Sequence, residues 1–147
     1  MGLDVIFVRL DGSRIGWDDP IMQQENGFPF PRYEEKYNLY DDDGNFFDER
    51  SQFCIAEICG MQCLGTVTFR GRGYSFFASA ELPHSFHQNF SPSELKEQAT
   101  ALSAWLEDRK DAPDDERYHG ESMRDLRNLS ILLNWAVVQG LGTIASY

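Results

Sequence analysis

Two helical segments occupy the last third of the chain, and they limit what the rest can become. Ser91-Pro92-Ser93-Glu94 supplies an N-cap hydroxyl, a proline at the first helical position and a glutamate placed to complete a capping box. Leu95, Ala99, Leu102 and Leu106 then recur on one face to about Lys110. A second helix is predicted from about Glu121 to Gln139, carrying Met123, Leu126, Leu129, Leu133, Ala136 and Val137. Its second half adds Ile131, Leu132, Trp135 and Val138, apolar nearly all round, which predicts a buried helix. Gly140 closes it, and residues 141–147 suit a short terminal strand. Between the helices, residues 111–118 with Pro113 read as an acidic linker.

Helices with apolar stripes need a layer to cover them, and the N-terminal half offers strands. Leu3 to Leu10 is β-branched and aromatic, and Asp11-Gly12-Ser13 ends it as a turn. Phe53, Ile55, Ile58, Leu64, Val67, Phe69, Tyr74, Phe76 and Phe77 suit further strands, with Gly71-Arg72-Gly73 read as a tight turn between two runs. Pro20, Pro29 and Pro31 break regular structure between about 16 and 50, predicting an irregular acidic surface excursion. Within it, Asp41-Asp42-Asp43-Gly44-Asn45, flanked by Tyr37 to Tyr40 and Phe46-Phe47, resembles a hairpin turn. The expected fold is α+β: one domain over residues 1–147, an antiparallel sheet packed on two C-terminal helices.

Charge narrows the function classes. The 147 residues hold 24 acids against 13 Lys and Arg, a net −11. Residues 1–50 carry 12 acids and 5 bases, residues 51–90 two of each, and residues 91–147 ten acids and six bases. Such a surface repels phosphate backbones and anionic lipid, which argues against direct nucleic-acid binding and against a membrane partner. Asp4 stands where a signal peptide needs basic residues, no apolar run approaches a membrane span, and Ile6 replaces the Ser or Thr of a myristoylation motif. Cys54, Cys59 and Cys63 make an odd, crowded set, unlike a disulfide framework. The expectation is a cytoplasmic protein with reduced thiols.

Several constellations invite chemistry. Registering the Asp41–Asn45 loop on a calcium-binding EF-hand, with Gly44 sixth, puts Leu39 first and Arg50 twelfth, so both anchoring carboxylates are missing. Cys59 and Cys63 with His84 and His87 have the order of a Cys2His2 zinc site without its spacing, and Pro83 beside His84 opposes a helix there. Buried thiols and loop histidines are the plainer reading. No metal or other cofactor is expected. No Gly-x-Ser-x-Gly elbow, His-Glu-x-x-His pair or phosphate loop is present, so an enzyme using His84 or His87 with Glu81 ranks last. Arg70-Gly71-Arg72-Gly73-Tyr74 holds the only bases of residues 51–90; two guanidiniums and a tyrosine can grip an anion, and a turn whose arginines pair with nearby acids is the alternative.

Met1-Gly2-Leu3-Asp4, Arg70-Gly71-Arg72-Gly73-Tyr74 and the segment Ser85-Phe86-His87-Gln88-Asn89-Phe90-Ser91-Pro92-Ser93-Glu94 resemble a loose group of small proteins, many encoded by phages and prophages. Members look like a Met-Gly-Leu-Asp first strand, an Arg-Gly-Lys-x-Tyr element, a Ser-Leu-Tyr-Gln-like segment leading into a Pro-Pro-Glu helix start, and a last helix near an aromatic end. Arg72 stands here for the lysine, His87 for the tyrosine and Ser93 for the second proline; residues 11–60 are not covered. The resemblance implies an accessory protein that interferes with a host process or defence system, and it carries no catalytic residue over.

The first functional expectation is therefore a non-enzymatic binder or inhibitor of a host or defence protein with a basic surface. Phe28, Phe30, Tyr33 and Tyr37 would be its exposed anchors beside Asp41, Asp42 and Asp43, with nucleic-acid mimicry as a variant. The second is a protein that sequesters an anionic small molecule or nucleotide signal through Arg70, Arg72 and Tyr74, with His84 and His87 nearby. Oligomeric state stays open, since the apolar Ile131 to Val138 segment suits an interior or a dimer interface equally.

Overall fold

The computed structural model describes residues 3–15, 19–55, 62–64, 68–71, 89–118 and 121–146. It has the α+β architecture expected. In chain order the elements are β1 (Leu3–Val8), two single-turn 3-10 helices (Pro20–Met22 and Gln24–Asn26), β2 (Arg32–Tyr40), β3 (Phe46–Ile55), β4 (Gln62–Leu64) and β5 (Thr68–Gly71). There follow α1 (Pro92–Glu107), β6 (Arg117–Tyr118), β7 (Glu121–Ser122), α2 (Met123–Val138) and β8 (Gly142–Ser146).

The main sheet has the order β4-β5-β1-β8, and every neighbouring pair is antiparallel. The first strand thus lies inside the sheet, with Val5 opposite Phe69 on one side and Ala145 on the other. Two helices cover it. Helix α1 begins as its sequence dictates: Glu94 N–H donates to Ser91 Oγ at 3.2 Å and Ser91 N–H donates to Glu94 Oε1 at 3.1 Å. Leu95, Ala99, Leu102 and Trp105 form its buried stripe. Helix α2 ends in a Schellman motif, in which Gly140 N–H donates to the Val137 carbonyl and Leu141 N–H to that of Ala136, both at 3.0 Å. Gly140 takes φ +72°, where a side chain would be strained, and Leu141 behind it is buried.

Helix α2, the sheet and the segment before β2 meet at Trp135. Its ring stands edge-to-face to Phe7 of β1 at 5.8 Å and to Phe28, from the segment before β2, at 5.0 Å. Ile15, Met22, Leu95, Leu102, Met123 and Leu133 complete the same core. Phe90 is buried as well; its N–H and carbonyl exchange hydrogen bonds of 2.9 Å with Thr143, tying the entry of α1 to β8.

Two expectations are corrected. Residues 32–55 form a long, regular hairpin rather than part of an irregular excursion, because cross-strand pairing continues well beyond the local turn. The second half of α2 is not buried all round: Ile131 and Val138 are 49% and 81% exposed, since both lie on the side away from Leu129, Leu132 and Ala136. The acidic linker is held against α2. Arg127 on α2 donates to the Ala112 carbonyl at 2.7 Å and to Asp114 Oδ1 at 2.5 Å, while Arg124 N–H donates to the Asp114 carbonyl at 3.0 Å.

Truncating Trp135 to Ala removes both edge-to-face contacts and opens a core cavity. It should cost about 3–5 kcal/mol in urea denaturation, whereas Ile131→Ala should cost less than about 1 kcal/mol. At the first turn, the Ser13 hydroxyl and then the Ser13 N–H, 2.6 and 2.9 Å from Asp11 Oδ1, hold the Asp11 carboxyl below its usual 3.8. A depressed folded value means that this contribution to stability is present above pH 3.8 and is lost as pH falls through the lower folded value. An NMR titration should find the Asp11 midpoint below 3.8, and Ser13→Ala should return it towards 3.8.

Candidate interaction site

The β2–β3 hairpin is an extended ribbon. Its register pairs Arg32 with Ile55, Lys36 with Ser51 and Leu39 with Asp48, and then shifts so that Tyr40 faces Phe46, with Phe47 as the extra bulged residue. The turn is organised by one carboxylate. Asp41 Oδ1 accepts from the backbone N–H of Asp43 at 3.0 Å and of Asn45 at 2.8 Å, while Gly44 takes φ +82° and donates its N–H to the Asp41 carbonyl at 3.0 Å. That is turn chemistry: the Asp41 oxygen a cation would use is already taken by backbone donors. Among the described residues, no group of three or more His, Cys, Asp or Glu side chains converges into a metal-holding cluster.

What sets the ribbon apart is solvation of both its faces. From Tyr33 to Ser51 the described side chains are exposed, apart from half-buried Leu39 and Asp48. Tyr33, Tyr37, Tyr40, Phe46 and Phe47 are between 41% and 59% exposed. Tyr33 and Tyr37 share one face by strand alternation, and Tyr40 stands edge-to-face to Phe46 at 6.3 Å beside the turn. Residues 32–50 hold seven acids and three bases, a net −4. Two of the bases are engaged within the ribbon, Lys36 with Glu49 at 3.8 Å and Arg50 with Asp48 at 3.1 Å. Asp42 and Asp43 present their carboxylates to solvent at the tip.

Of the anchors expected from sequence, Tyr33, Tyr37, Asp41, Asp42 and Asp43 come together on this ribbon. Phe28 does not: it is 3% exposed and packs on Trp135, so its expected exposure is corrected. Phe30 is half-buried, edge-to-face to Phe28 at 6.3 Å. Sequence reasoning missed Phe46 and Phe47 as exposed side chains, reading them only as flanks of the turn. The signal was present in the acidic turn itself, because strands on either side of a fully solvated loop have no core to enter near its tip.

Of the expected anion grip, Arg70 alone lies among the described residues. Arg70 is a residue of β5, at the register position opposite Asp4 of β1 and Gln62 of β4, so strand pairing continues through Gly71 where a turn was expected. Arg72, Tyr74, Glu81, His84, His87 and Cys59 lie outside the described residues. Cys54 and Cys63 occupy β3 and β4, at register positions opposite Tyr33 and Phe69. Comparison with known protein families, with curated proteins and with solved structures finds no match. Among the described residues no helix is long and apolar enough to cross a membrane.

Replacing Asp41 by Ala removes the acceptor of two turn N–H groups. Amide exchange at Asp43 and Asn45 should accelerate about fivefold to tenfold, corresponding to about 1 kcal/mol, while exchange in α1 and α2 stays unchanged.

Proposed function

We propose that the chain is a non-enzymatic binder that occupies a basic surface of a partner protein with its β2–β3 ribbon. The observation that carries this reading is the exposure of five aromatic rings on a ribbon of net charge −4. Rings left between 41% and 59% exposed give the fold only part of what a fully buried ring would. At an interface, by contrast, aromatic side chains are the residues most often responsible for affinity. The surrounding carboxylates steer such a surface towards a cationic partner and away from acidic ones. A host or defence protein is the partner class that the phage-type resemblance implies, and inhibition then follows from occupancy without chemistry.

The experiment is affinity capture from bacterial lysate on the immobilised full chain, beside a Tyr40→Ser/Phe46→Ser/Phe47→Ser variant checked by circular dichroism for an unchanged fold. A partner held by the wild type should be recovered at least about tenfold less by the variant, since central anchors each contribute upwards of about 1 kcal/mol. Equal recovery on both columns would overturn the assignment to the ribbon.

A further inference from the structure

We infer that the partner surface is a groove that normally holds single-stranded nucleic acid, and that the ribbon enters it as a mimic of the strand. The inference rests on the binding role proposed for the ribbon and adds the chemistry of its target. A groove for single strands combines a basic track for the phosphates with aromatic platforms on which unstacked bases lie. A groove for duplex differs in one respect that matters here, because base faces are hidden in the helical stack and the protein meets mainly phosphates and groove edges.

The ribbon offers both components that a single-strand groove needs. Three of the five rings are followed directly by a carboxylate, Tyr33 by Glu34, Tyr40 by Asp41 and Phe47 by Asp48, so rings and acids are interspersed along the ribbon. Both faces of the ribbon are solvated, as both sides of an unpaired strand are. Two of its three cations are paired, Lys36 with Glu49 and Arg50 with Asp48, and no salt bridge within the described residues engages Asp41, Asp42 or Asp43. A charge-only decoy would have no use for five exposed rings, and a purely apolar docking element would have no use for a triple-aspartate tip. The two together match a site that stacks rings and neutralises anions at once.

The test uses the full chain immobilised as above, with nuclease-treated bacterial lysate and three challenges at matched ionic strength: oligo(dT), duplex DNA at equal phosphate concentration, and buffer alone. The expected result is that oligo(dT) releases the retained protein at least about tenfold more effectively than duplex, and that prior depletion of the lysate on an oligo(dT) column removes it. An Asp42→Asn/Asp43→Asn variant, which leaves the turn carboxylate of Asp41 in place, should weaken retention and flatten its salt dependence. Release by duplex as effective as by oligo(dT) would overturn the single-strand assignment in favour of a charge decoy. Retention indifferent to either nucleic acid, yet lost in the aromatic variant, would overturn mimicry and leave the binding role standing. Retention equal for wild type and aromatic variant would remove both.

Discussion

Trp135 is where three separately encoded parts of the chain become one structure. It stands on a helix near the C-terminus, yet its ring is gripped from the sheet side by Phe7 and from the segment before the ribbon by Phe28. Edge-to-face pairs add about 0.5–1.5 kcal/mol each beyond the area they bury. Their arrangement matters more than that sum. Without Trp135, the edge-to-face contacts that α2 makes with β1 and with the segment from which β2 departs would both be lost.

That dependence explains what the sequence disclosed and what it withheld. The start of α1 was legible because Ser91, Pro92 and Glu94 settle their hydrogen bonds within four residues. The end of α2 was legible too, since Gly140 stands where the chain takes a positive φ that glycine adopts without strain, while α1 stops at Glu107, three residues before the expected Lys110. The sheet was legible in outline from apolar strands at both ends of the chain. Burial of Phe28 was not, because the Phe28-Pro29-Phe30-Pro31 string looks like an exposed loop until a tryptophan more than a hundred residues later is known to sit over it. The mirror error concerned Ile131 and Val138, apolar residues placed by helical phase on the outer side, a placement that depends on which face the sheet takes. For the candidate site, Tyr33, Tyr37 and the aspartates were visible in advance, whereas the length of the ribbon arose from pairing between residues 32 and 55 that no local pattern encodes.

The ribbon and the body follow different rules of stability. In the body, side chains enter a shared interior and the linker is clamped by Arg127. In the ribbon, order comes from the backbone ladder, one turn carboxylate, the Tyr40–Phe46 contact and exposed ion pairs that contribute only about 0–1 kcal/mol each. Such an element can change its surface chemistry with little consequence for folding. A protein under pressure to match a changing partner would concentrate its variation there, and the binding reading proposed for it is compatible with that freedom.

The position of β8 has a consequence for how the molecule is made. β1 leaves the ribosome well before β8, one of its two neighbours in the sheet, and Asp4 pairs with Ser146 across the intervening ribbon and helices. Contacts of such long sequence separation slow folding, because the entropy of closing the intervening loop is lost before the contact forms. Until residues 142–146 have left the exit tunnel, β1 presents an open edge. The nascent chain thus passes through a stage at which chaperone capture or strand exchange between neighbouring copies competes with completion of the sheet.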